Sequence, residues 1–83
     1  MKILFFARFR QLLGKADIDL DVPEEVQTVK QLIDWLKLQG PEYEGVFANE
    51  GLVRVAVERV HTPLNGSITG AKEVAFFPPV TGG

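Results

Sequence analysis

The 83-residue chain contains no cysteine, so neither a disulfide framework nor thiolate chemistry is open to it. It has a single histidine, His61. A lone imidazole falls short of the three or four ligands a zinc site needs, so a surface or partner-contact role is expected for it. Dense runs of Lys and Arg are missing, and the formal net charge is −2. That excludes the clustered phosphate contacts of a nucleic-acid binder. No apolar run approaches the ~18 residues of a bilayer span. The apolar stretch after Lys2 is closed off by Arg8 and Arg10 and does not read as a secretory signal. There is no glycine-rich phosphate loop and no Ser/His/Asp set in recognisable context. These absences predict a cytoplasmic chain with no catalytic side chains, no metal, no bound cofactor, and no membrane or nucleic-acid partner.

The residues that are present, 46% apolar and 24% charged, suit one soluble globular domain. Residues 2–9 read as a strand, with Ile3, Phe5, Ala7 and Phe9 on the core face and Leu4, Phe6 and Arg8 on the other, Arg10 following in phase. Residues 10–15, with Gly14, read as a hairpin loop. Residues 16–22 alternate cleanly, Ile18, Leu20 and Val22 inward and Asp17, Asp19 and Asp21 toward water. Thr28 with Gln31 three residues on is a capping box. It predicts a helix over 28–39 with Val29, Leu32, Ile33 and Leu36 on one face, Trp35 beside them as a further core residue, and Gly40-Pro41 as the stop. Residues 41–51 read as an irregular connection with room for a short helical turn, tucking Val46 and Phe47 under the domain. Residues 52–58 form another strand, with Val53, Val55 and Val57 inward. Pro63, Asn65-Gly66 and Gly70 break 59–72 into turns and at most one short edge strand. Residues 73–77 form the last strand, Val74 and Phe76 inward, Ala75 and Phe77 outward.

A hairpin, a helix and then more strands predict an α+β domain over 1–78: one mixed sheet with one main helix packed on one face. A right-handed crossover brings a later strand beside the first. One helix cannot cover both sheet faces, so with the first and last strands as central neighbours Phe6 and Phe77 would meet on the bare face, in an apolar patch rimmed by Arg8 and Arg10. Scattered exposed aromatics need no explanation, but a contiguous patch marks a partner surface, and Phe77 adjoins the distinctive end of the chain.

That end reads Phe76-Phe77-Pro78-Pro79-Val80-Thr81-Gly82-Gly83. Two prolines stop the strand, because proline has no N–H for the ladder. They also favour an extended exit, which predicts a flexible, extended tail over 79–83. Gly82 and Gly83 lack a Cβ and would fit a tunnel too narrow for side chains. Frayed glycine ends are common, so the glycines alone carry little; strand, prolines and glycines in this order carry more. The pattern reads as a carboxyl group on an arm, built to reach another protein's active site.

With Ile3 to Arg10, Leu12-Leu13-Gly14, Val55-Ala56-Val57 and Glu73 to Gly83 in view, the chain resembles the ubiquitin-like (β-grasp) sulfur carriers, and among these the small subunits of molybdopterin synthase. The resemblance covers the whole chain. It implies that the Gly83 carboxylate is adenylated by an E1-like activating enzyme using ATP. The carboxylate then becomes a thiocarboxylate, which donates sulfur to a cyclic pyranopterin monophosphate inside the large synthase subunit, forming the dithiolene. It further implies a heterotetramer, with Val80, Thr81 and Gly82 as the slim tail behind Gly83, and Phe6, Arg10, His61 and Phe77 as partner contacts. Glu58 stands where relatives often carry Asn, and Gly70-Ala71-Lys72 replaces an acidic turn. The residues alone fit this chemistry. An α-carboxyl with pKa ~3.5 is ionised and inert at neutral pH until activated, and a chain without cysteine has no other plausible sulfur-bearing group. Three further readings stay open: a carrier for another client such as thiamine or tRNA, a ubiquitin-like protein modifier, and a plain binding module with incidental glycines.

Overall fold

The computed structural model describes residues 1–79; Val80, Thr81, Gly82 and Gly83 lie outside the described residues, and with them all of the predicted tail but Pro79. The elements are β1 (Lys2–Phe5), α1 (Arg8–Leu13), β2 (Asp17–Asp19), α2 (Val29–Lys37), α3 (Pro41–Val46), a 3₁₀ turn (Glu50–Leu52), β3 (Arg54–Val57), β4 (Val60–His61) and β5 (Glu73–Phe77). The sheet order is β2-β1-β5-β3-β4. β1 and β5 run parallel and the other pairs antiparallel. This is the expected α+β, β-grasp arrangement, with the last strand in the middle.

Register writes the core across the sheet. Ile18, Ile3, Val74 and Val57 form one inward row, and Phe5, Phe76 and Val55 the next. Phe76 is fully buried; its ring stacks on Phe5 at 6.0 Å and meets Phe47 edge-on at 4.9 Å. Offset and edge-to-face aromatic pairs of this kind add to plain area burial. The helical face Val29, Leu32, Ile33 and Leu36 closes over these rows, all four completely buried, with half-buried Trp35 packed against the cluster.

α2 starts where the capping box requires. Thr28 Oγ1 accepts from the Gln31 N–H at 3.2 Å, while Gln31 Oε1 accepts from the Thr28 N–H at 3.2 Å. The next two donors are also satisfied, Val29 N–H by the Gly66 carbonyl and Lys30 N–H by that of Leu64, so no early helical N–H here is buried without a partner. Those contacts pin the 59–72 segment down and drive Ile68 into the core, 2% exposed.

Several sequence expectations are corrected. The first strand stops at Phe5, because Ala7 takes a positive φ of 54°. Residues 8–13, expected as strand end and hairpin loop, form α1, capped by Gly14 in the left-handed conformation. Phe9 is buried as predicted, but from a helix; Ala7 is exposed instead of inward. β2 is three residues long; Leu20 still donates to the Met1 carbonyl beyond it. The 41–51 connection contains α3, with Pro41 at its first position and Tyr43, Val46 and Phe47 buried. Among the described residues there are thus two short α-helices besides the main one. The 3₁₀ turn takes Leu52 from the strand expected over 52–58, which covers only 54–57, and Glu58 sits in the turn beyond it.

Candidate functional site

The sheet face away from α2 carries the outward half of the alternation. Leu4, Ala75, Ala56 and His61 are opposite one another across β1, β5, β3 and β4. Two alanines side by side in the middle leave a hollow. It is lined by Leu4, Phe6, Ala56, Arg59, Glu73, Ala75 and Phe77. Phe77 pairs with Arg54 at one end of the face, while Lys2 pairs with Glu73 at the other.

The structure therefore brings Phe6 and Phe77 to one apolar hollow, as expected. Phe6 is 47% exposed although its N–H is held by the Phe76 carbonyl at 3.1 Å. His61 joins them, its ring edge-on to Phe77 at 5.3 Å and 78°. Arg10 is not among the lining residues. It lies on α1 and lines a separate depression with Ala7, Gln11, Gly14, Lys15 and Ala16. Arg8 is also on α1, so the expected basic rim is replaced by Arg59.

Leu4, Ala56, Ala75 and Arg59 were not singled out by sequence reasoning as site residues. Alternation places the first three outward, but only the register shows that the two alanines are neighbours and so form a floor. Arg59 follows from the turn. Val57 pairs with Val60, leaving a two-residue connection, Glu58-Arg59, with φ of 49° and 68°. Two-residue hairpins use positive φ to match the twist of their strands, and favour Asn-Gly. The Glu58 carboxylate accepts from the Lys72 N–H and, at 2.8 Å, from the Glu73 N–H. These bonds to Lys72 first and Glu73 second hold its carboxyl below the ordinary carboxylate range. Glu58 thus gives up a turn-friendly side chain for a clasp onto the start of β5.

β5 ends at Phe77 and runs straight into Pro78 and Pro79, both half-buried. The predicted carrier residue Gly83 and its neighbours Gly82, Thr81 and Val80 fall beyond the described residues. Among the described residues no group of three or more His, Asp or Glu side chains is gathered to hold a metal ion. No helix among them is long and apolar enough to cross a membrane. What this geometry can do chemically is bind: a concave apolar floor with charged ends, set beside the strand from which the Gly-Gly segment continues.

Comparison with known proteins agrees with the architecture. The sulfur carrier subunit of molybdopterin synthase from Haemophilus influenzae is 32% identical over 83 residues, covering 100% of this chain and 99% of that protein. The subunit of the same name from Escherichia coli is 34% identical over 85 residues, covering 100% and 99%. The crystal structure of small archaeal modifier protein 1 from Haloferax volcanii superposes with a TM-score of 0.75 at 26% identity, covering 96% of this chain and 97% of that one. The pattern of the ThiS family matches residues 3–83, and the chain belongs to that family.

Proposed function

We propose that this chain is a cytoplasmic sulfur carrier that serves the large subunit of molybdopterin synthase. The α-carboxylate of Gly83 is its working group. An E1-like activating enzyme brings ATP; a carboxylate oxygen attacks the α-phosphorus and pyrophosphate leaves. A sulfide-level sulfur nucleophile then attacks the acyl carbon, and AMP departs with the former carboxylate oxygen. The resulting thiocarboxylate donates its sulfur to a cyclic pyranopterin monophosphate in the large subunit, contributing to the dithiolene. The carrier supplies no acid, base or metal to these steps. It supplies a handle, and an end slim enough for a narrow channel.

The observation that supports this reading most is the position of Phe77. It walls the open hollow and is followed at once by Pro78-Pro79. A protein seated on the hollow thus holds the root of the Gly-Gly segment. The four residues after Pro79 can reach at most about 14 Å, so the acyl group must react close to the docking face. The relatives named as sulfur carrier subunits support the client assigned here.

The test is an intact mass of the protein from its own cell, examined for one oxygen-to-sulfur exchange at the C-terminus. Deleting Gly83 abolishes that species and leaves the fold unchanged. A truncated protein that still supports pterin sulfuration refutes the assignment. A second reading, ligation of Gly83 to lysines as a protein modifier, draws on the likeness to small archaeal modifier protein 1. Isopeptide-linked adducts of this chain in cell extract favour it; their absence alongside a thiocarboxylate favours the carrier.

A further inference from the structure

The β3–β4 turn places two consecutive non-glycine residues at positive φ, Glu58 at 49° and Arg59 at 68°. An L side chain is strained there, and glycine at the second position would relieve it. Glu58 has an internal use, the clasp onto Lys72 and Glu73. Among the described residues Arg59 has no comparable use. Its side chain is 90% exposed, and its ion pair within the described residues is Nε to Glu73 Oε2 at 3.8 Å, too long for a hydrogen bond. Yet it lines the alanine-floored hollow. Arg54, at the other end of the face, is occupied internally, donating from one guanidinium nitrogen to the carbonyls of Gly51 and Val53.

Backbone strain kept where the turn would prefer glycine, under a side chain that makes no hydrogen bond among the described residues, points to a contact made outside the chain. The local charge indicates its sign. Lys2, Lys72 and Arg59 face Glu58 and Glu73 around the adjoining depression, leaving positive charge in excess, although the whole chain is at −2. We propose that Arg59 is a specificity-determining residue of this face, its guanidinium forming a forked pair with a carboxylate of the large synthase subunit while an apolar side chain of that subunit fills the hollow. This rests on the docking reading above. Covering the hollow removes water from the pair and strengthens it, and a partner presenting a cation there is repelled.

The experiment is titration calorimetry of the folded protein against the large synthase subunit of the same organism, at low and at moderate salt, with Arg59→Gly, Arg59→Gln and Phe77→Ala in parallel. Arg59→Gly raises Tm by about 2–5 °C, because the turn is relaxed, yet binds about tenfold more weakly. Arg59→Gln loses similar affinity, and both deficits shrink as salt rises. Weakened binding by Phe77→Ala with wild-type affinity in both Arg59 variants overturns the role of Arg59 and leaves docking standing. No measurable binding by the wild-type protein overturns the docking reading and this inference with it.

Discussion

Phe76 and Phe77 are neighbours on one strand, and truncating each to alanine should separate folding from docking. Phe76 is fully buried between Phe5 and Phe47 in the middle of the sheet. Removing such a ring costs about 3–5 kcal/mol, transfer and cavity terms together. The whole domain, at 83 residues, has only about 4–12 kcal/mol to lose. With about 4–8 °C of Tm per kcal/mol at this size, Phe76→Ala lowers Tm by at least about 12 °C. Phe77 is half-buried on the open face with an edge contact to His61. Its truncation forfeits about 1 kcal/mol of packing and lowers Tm by about 4–8 °C, while the loss of a wall of the hollow weakens capture of the large subunit. Thermal melts by circular dichroism, beside a binding titration, measure both. Equal thermal losses, or the larger one at Phe77, would refute the assignment of faces and with it the docking surface.

Thr28→Ala removes one half of the capping box on α2 and lowers stability by about 1 kcal/mol in urea titrations, whereas Thr28→Ser retains it. Two glycines with open space where a methyl group would sit respond oppositely. Gly14→Ala at φ 74° destabilises by about 1 kcal/mol, while Gly45→Ala within α3 stabilises by about 0.5–1 kcal/mol. Glu58→Gln lowers Tm at neutral pH. Because folding lowers the Glu58 pKa, the charged clasp stabilises above the unfolded value of about 4.3 and is lost as pH falls through the folded value. The gap in Tm between the two proteins therefore closes below about pH 4; a constant gap down to acid pH contradicts the clasp.

Strong local signals are legible in the residues themselves. The alternation in β5, the apolar stripe of α2 and its capping box each predict their observed geometry, because each is set by neighbours within one turn or one pleat. Handedness places a later strand beside the first, and the register identifies it as β5, running parallel. The expected first strand runs too far because Ile3, Phe5, Ala7 and Phe9 keep period two whether or not the chain turns at Ala7. The spacing of Phe9 and Leu13, followed by Gly14, is the helical signal for α1, and that of Tyr43, Val46 and Phe47 the signal for α3. Both lie in six-residue helices, too short for their periodicity to outweigh flanking turn residues. The hollow itself is not legible. Its floor is made of Ala56 and Ala75, 19 positions apart and adjacent only through register, and its charged end depends on a turn whose positive φ values run against the preferences of Glu and Arg.

The strand order has one more consequence. β1 with β2, and β3 with β4, are two local ribbons that the sheet joins through β5. Until that strand slides between them there is no continuous sheet, and half of the alanine floor is missing. A receptor that grips this floor is therefore also an inspector. It can engage only molecules whose closing seam has been zipped.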